Sequence, residues 1–150
     1  MFVYIGSSTC GFSNDESLPA LIERVKVELH RKAQAHGLDF SAVGVAIDWH
    51  VPHGIKHLEK FGLFDEIMTG ENWQGTGARQ HFGGSLSGES STPQVLAYVR
   101  SIQGGGVERS DQYYHESDKH LLARKIGLDG ISQWAELGLP MPTDILSLDS

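Results

Sequence analysis

Apolar and polar positions follow a few distinct rhythms along this chain. Phe2 to Ile5 is an unbroken run of strand-forming apolar residues, stopped by Gly6-Ser7-Ser8-Thr9. It predicts a buried strand entering a tight loop. After Cys10-Gly11-Phe12-Ser13-Asn14-Asp15, the residues Leu18, Leu21, Ile22, Val25, Leu29 and Ala33 recur at spacings of three and four, with charges between them. That is one face of an amphipathic helix, and Gly37 stands where such a helix ends. Phe40 to Ile47 is a second buried run. Strand, long helix and strand form a βαβ unit, which implies parallel strands and a right-handed crossover.

Further on, Asp48-Trp49-His50-Val51-Pro52 turns the chain. Pro52 suits the first turn of a short amphipathic helix carrying Ile55, Leu58 and Phe61 or Gly62. Phe64 to Met68 reads as a brief strand, and Asn72 to Phe82 as a helix diluted by Gly75 and Gly77. Gly83 to Thr92, rich in Gly, Ser and Thr, is a loop. Gln94 to Ile102 alternates, with Val95, Ala97 and Val99 on one face and Leu96 and Tyr98 on the other. Gly104-Gly105-Gly106 is a turn from which Val107 starts a return strand. Leu121 to Ile126 and Ile131 to Leu137 read as helical pieces broken near Gly127 to Gly130. The tail from Pro140 to Ser150 is expected to be weakly ordered at its end. No linker or repeat divides the chain, so residues 1–150 are expected to form one domain.

Composition narrows the classes. Hydrophobic residues make up 39% and charged residues 21%, which suits a globular protein. Lys and Arg total 12 against 19 Asp and Glu, a formal charge of -7. Such a surface repels phosphate backbones and anionic lipid, which argues against nucleic-acid and membrane partners. No apolar stretch reaches the roughly 18 to 20 residues of a membrane span. The opening Met1-Phe2-Val3-Tyr4-Ile5-Gly6 has neither the basic region nor the cleavage site of a signal peptide, so the default location is the cytoplasm, a trimmed precursor aside. One cysteine makes no internal disulfide, and Cys10 is either a small buried hydrophobe or a working thiol. The sequence assigns no oligomeric state.

Two places carry candidate chemistry. A cysteine after a strand, at the first turn of a long helix, meets free N–H groups and the positive end of the helix dipole, and both stabilise a thiolate. Gly11 lets another backbone approach, and Ser13 can donate a hydrogen bond to the sulfur. Thr92-Pro93 stands immediately before a strand, where proline serves as a first residue or in a cis turn, and a cis bond is expected.

In this order of elements the chain resembles the thioredoxin superfamily: a strand, Cys-x-x-Ser at a helix start, a βαβ unit, then a proline, a hairpin and a terminal helix. The resemblance implies an α/β, thioredoxin-like fold with a central mixed β-sheet and helices on both faces. It makes Cys10 the nucleophile, places Ser13 at the second-cysteine position, and makes Thr92-Pro93 the substrate-facing loop, with Gly11 and Phe12 beside it. The extra segment from Asp48 to Phe82 is similar to the peroxiredoxin and cytochrome-maturation branch. Departures are Thr9 where the family has Trp, the missing second cysteine, and Ser7 where peroxiredoxins carry Thr. Cys10-Gly11-Phe12-Ser13 also matches the four-residue motif of monothiol glutaredoxins, without their upstream Lys and with Ser91-Thr92-Pro93 in place of Thr-Val-Pro.

The implied function is monothiol redox chemistry. Cys10 thiolate attacks a protein or glutathione disulfide, and an outside thiol completes the cycle. No resident cofactor is expected, although glutathione could bind. Two alternatives stay open: a non-catalytic thioredoxin-like binding or scaffold domain that holds a partner strand across Thr92-Pro93, and a glutaredoxin-type iron–sulfur carrier using Cys10 and glutathione across a dimer. His53 and His57 are four apart, as zinc-binding pairs are, but nothing beyond His50 offers a third ligand. The three are read as a solvated helix start, and no metal is assigned. Gly104 to Gly106 lacks the Lys-Ser/Thr of a phosphate loop. Trp49, Trp73 and Trp134 read as core or groove aromatics.

Overall fold

Phe2–Gly6 forms strand β1, and every residue of it is buried. A strand covered on both faces is what a continuous apolar run predicts. The structure, a computed structural model, describes residues 1–82, 90–104 and 114–142. After β1 come helix α1 (Leu18–Ala35), strand β2 (Ala42–Ala46), helix α2 (Val51–Leu58), strand β3 (Glu66–Thr69), helix α3 (Thr76–Phe82), strands β4 (Gln94–Gly104) and β5 (Tyr114–Ile126), and helix α4 (Gly127–Glu136). Single 3₁₀ turns span Phe12–Asn14, Glu59–Phe61 and Asn72–Gln74.

The strands form one mixed sheet in the order β3-β2-β1-β4-β5. β2 lies parallel to β1 and to β3, while β4 runs antiparallel to both β1 and β5. Strand periodicity divides the core in two. Phe2 and Tyr4 face Leu18, Ile22, Val25 and Leu29 of α1 and Ile131 and Trp134 of α4. Val3 and Ile5 face the opposite way, with Val43, Val45, Leu96 and Ala78 of α3. Helices thus cover both faces. Each fully buried Leu, Ile, Val or Phe contributes on the order of 1.5–3 kcal/mol, and the buried face of α1 offsets part of the entropy cost of ordering the helix. Gly37 has φ +68, and the Leu38 amide donates to the Ala33 carbonyl at 2.9 Å. That left-handed closure ends α1 where the sequence expects it.

Three expectations are corrected. Leu121 to Ile126, expected to be helical, is the second half of β5, paired with β4 through Gln94↔Ile126. A bulge explains the misreading: Ala97 pairs with Ala123 but Tyr98 with Leu121, which leaves Leu122 as an extra residue. The extra residue breaks the two-residue alternation, so Leu121 and Leu122 look like a helical pair. Nor is there a break from Gly127 to Gly130, since both lie in α4. Gly127 has φ +74 and makes the sharp turn from strand to helix. The expected helix from Asn72 to Phe82 is divided at Gly75, where a β-carbon would meet the Gly70 carbonyl. The Gly105–Gly106 turn, the start of the return strand at Val107, most of the Gly83–Thr92 loop and the tail from residue 143 lie outside the described residues.

Lys26 is the unexpected member of α1. It is buried, and its ammonium donates to the carbonyls of Phe61 (2.7 Å) and Leu63 (2.8 Å). It also lies 4.6 Å from the centre of the Phe64 ring and pairs with Glu23. Lys26→Met should leave these carbonyls without donors and lower stability by about 2 kcal/mol, read by urea unfolding. No described helix is long and apolar enough to cross a membrane.

Candidate functional site

In a sheet with parallel strands, the loops leaving the carboxyl ends form the natural crevice. Here β1 delivers Ser7 to Ser17, β2 delivers Asp48 to His50, and the segment entering β4 brings Ser91 to Pro93 back to the same end. Asp48 ties the loop after β1 to the loop after β2 and to the turn at Asn72. Its carboxylate accepts from the Ser8 amide (3.2 Å) and the Ser8 hydroxyl, and its carbonyl accepts from the Asn72 amide (3.1 Å). Asn14 holds the cysteine loop from inside, donating to the carbonyls of Ser8 (2.9 Å) and Cys10 (2.8 Å). Lys60 donates to Asn14 Oδ1 at 2.9 Å, which brings a cation to the rim.

Cys10 does not cap α1, and the expectation that it would is corrected. It precedes the 3₁₀ turn Phe12–Asn14, and α1 starts only at Leu18. Asp15 leaves the helical region with ψ 135, and its Oδ1 accepts from the Ser17 amide at 2.9 Å. Pro19 lies in the first turn of α1, the place where a proline costs a helix least. These two residues separate the thiol from the long helix. Local N–H groups, not the α1 dipole, therefore face the sulfur.

The thiol is partly exposed, and its S–H donates to the Thr92 carbonyl at 3.2 Å. The Thr92–Pro93 peptide is cis, as expected. Pro93 is buried, and its carbonyl accepts from the Gly127 amide at 2.8 Å. Cys10 and the proline loop are thus brought together across 82 residues of sequence. Partial burial pushes the Cys10 thiol up. Hydrogen bonding from the Thr92 and Ser13 side chains and the Ser13 and Phe12 backbone outweighs it, so the net shift is downward. Gly11 has ordinary helical angles, and a β-carbon there would meet nothing within 4 Å. Phe12 is 73% exposed beside the thiol.

Ser13 is buried. Its hydroxyl favours the anionic forms of both Cys10 and Tyr4, yet Oγ completes no hydrogen bond of normal geometry. Beneath it lies a pair that the sequence reading did not single out. Tyr4 Oη and His57 Nε2 are 3.1 Å apart, both side chains fully buried. His57 had been expected on a solvated helix start. Instead it shares the buried face of α2 and the following turn with Gly54, Leu58 and Phe61. The sequence signal was there, because 54, 57, 58 and 61 follow the spacing of a helix face. For Tyr4 the signal was a phenol in an otherwise apolar strand, since a buried hydroxyl wants a partner. His50 and His53 are exposed, with ring centres 5.5 Å apart. Among the described residues no group of three His, Cys, Asp or Glu is arranged to hold a metal.

Burial, with a smaller push from Lys60, lowers the His57 pKa to about 4, while Asp48 acts in the opposite direction. The ring is therefore neutral at pH 7 in the fold, whereas the unfolded chain takes up its proton near 6.5. Between these values the unfolded state holds more protons, so stability falls as pH drops from about 6.5 to about 4 and is flat above. His81, lowered to about 4 by burial and Lys119, acts the same way. The urea midpoint should be lower at pH 5 than at pH 7, and His57→Gln should weaken that dependence. In comparisons with family models, curated proteins and solved structures, nothing matches this chain.

Proposed function

We propose that this chain is a monothiol protein of thioredoxin-like fold whose Cys10 exchanges with protein or glutathione disulfides. The observation that carries the reading is the 3.2 Å contact between Cys10 Sγ and the Thr92 carbonyl at the head of a cis proline. The topology supports it: a parallel β1-α1-β2 unit, an antiparallel hairpin on the other side of β1 and a closing helix. β3 extends the sheet at its far edge through the added segment.

The chemistry needs Cys10, an incoming disulfide and an outside thiol. Cys10 thiolate attacks one sulfur, a bond from Cys10 to that sulfur forms, and the old S–S bond breaks. The leaving thiolate takes a proton from water. A second thiol, such as glutathione, then attacks the mixed disulfide and returns Cys10 as thiolate. The thiol's downward shift raises the reactive fraction at neutral pH. Exposed Phe12 offers an apolar contact beside the sulfur.

A glutathionylated peptide incubated with reduced glutathione should lose its adduct faster with this protein than without it, and equal rates would contradict the proposal. Ser13→Ala should raise the Cys10 pKa modestly, because the Ser13 hydroxyl favours the thiolate while the local N–H groups remain. The pH midpoint of alkylation measures it. The second reading is a binding domain, which the exposure of Phe12 also favours; it predicts an unreactive Cys10.

A further inference from the structure

We infer that Asn14 and Lys60 are positioning residues: Lys60 fixes the Asn14 side chain, and Asn14 fixes the backbone that carries the Cys10 thiol. The inference deepens the reading of Cys10 as a working thiol and rests on it. Each link is a hydrogen bond of the structure. Asn14 Nδ2 donates to the carbonyls of Ser8 (2.9 Å) and Cys10 (2.8 Å), with the Ser7 carbonyl further off at 3.4 Å. Asn14 Oδ1 accepts from the Lys60 ammonium at 2.9 Å. An ammonium only donates and a carbonyl only accepts, so the amide fits one way round. Turned over, it would set its oxygen against three carbonyls and its NH2 against a cation.

Lys60 comes from a turn that is itself held. It lies in the 3₁₀ turn Glu59–Phe61 after α2, next to the fully buried Phe61, whose carbonyl accepts from the buried Lys26 ammonium at 2.7 Å. Lys26 thus braces the turn from α1, and Lys60 carries the turn to the cysteine loop. Its hydrogen bond is charge-assisted and polarises the Asn14 amide, which strengthens the N–H groups that hold the loop.

The consequence falls on Cys10. Its carbonyl accepts from Asn14, its amide donates to the Ser7 carbonyl (3.3 Å) and its thiol donates to the Thr92 carbonyl (3.2 Å). Three bonds fix one residue. Because a peptide is planar and trans, turning the Cys10 carbonyl to Asn14 directs the Gly11 amide the opposite way. Asn14 therefore occupies the negative ends of two peptide dipoles beside the sulfur, and once released these would be free to turn on a thiolate and disfavour it. The acids of the neighbouring loops have partners of their own: Asp48 accepts from the Ser8 amide and hydroxyl, and Asp15 from Ser17.

The test is the alkylation midpoint of Cys10 at low and high salt in wild type, Lys60→Met, Lys60→Arg, Asn14→Leu, and Asn14→Leu combined with Lys60→Met. Asn14→Leu nearly keeps the side chain's shape without its donors. It should raise the midpoint, leaving about three- to tenfold less thiolate at a fixed pH below it. Lys60→Met should act more weakly, with about two- to threefold less thiolate at either salt concentration. Lys60→Arg, which still donates to Asn14, should restore the wild-type midpoint. With Asn14→Leu present, Lys60→Met should add nothing, since Lys60 acts through Asn14. An unshifted midpoint in Lys60→Met or in Asn14→Leu would overturn the inference. So would a Lys60→Met shift that vanishes at high salt or persists in Asn14→Leu, because the bare charge would then be acting on the sulfur. Lys60 is exposed, so the salt series on its variants decides the matter even if Asn14→Leu fails to fold. None of these readouts needs disulfide exchange. The expected shifts without exchange would fail the proposed function alone, and exchange without the shifts would fail this inference alone.

Discussion

Cys10→Ser should reduce disulfide exchange to the uncatalysed background while leaving the fold almost untouched. The chain has one cysteine, so every mixed disulfide must pass through this sulfur. A serine hydroxyl does not ionise near neutral pH and cannot replace it. The same substitution keeps the contact that matters structurally, because a hydroxyl can donate to the Thr92 carbonyl as the thiol does. The site is partly open to solvent, so the lost sulfur contacts should change stability by only about 0.5 kcal/mol. The expected signature is a complete loss of glutathione adduct by intact mass at a nearly unchanged melting temperature. Exchange that persists above background in Cys10→Ser would put the chemistry elsewhere.

Gly6→Ala should be the opposite kind of change, a single methyl group that disturbs both fold and site. Gly6 ends β1, pairs with Ala46 and accepts a 2.7 Å hydrogen bond from the Ile47 amide. A β-carbon at this position would collide with the Tyr4 hydroxyl and approach Tyr4 Cζ to 2.6 Å. Both neighbours are held in the core, so something must shift. Overpacking of this kind costs about 1–3 kcal/mol, and the broken Tyr4–His57 hydrogen bond adds about 1 kcal/mol. For a chain of this length that lowers the melting temperature by about 5–15 °C. Gly11→Ala is the control, because its β-carbon has open space and ordinary helical angles, and it should leave stability within about 0.5 kcal/mol.

The fold was legible where burial is complete or periodic. β1, α1, β2 and β4 each follow one apolar rhythm, and Gly37 and Thr92-Pro93 mark boundaries by backbone chemistry. β5 was hidden because the Leu122 bulge interrupts its alternation. For the candidate site, the meeting of Cys10 with Thr92 was implied by the family resemblance and not by the residues alone. The gap between Cys10 and α1 was written in Asp15 and Pro19, a local side-chain acceptor and a residue suited to a helix's first turn, but the apolar spacing of α1 masked it. His57 and Tyr4 were missed for a different reason. Their pairing depends on α2, packed on β2 and β3, carrying His57 to Tyr4 of β1, a tertiary fact that neither segment carries by itself.

The central claim is that the folded site makes Cys10 a better nucleophile than a free thiol. Iodoacetamide alkylation of Cys10 across pH, on native and on urea-unfolded protein, tests it most directly. The account predicts a native midpoint below the unfolded one, which lies near the free thiol value of about 8.5. Coincident midpoints, a native midpoint above the unfolded one, or a native thiol that never reacts would contradict it.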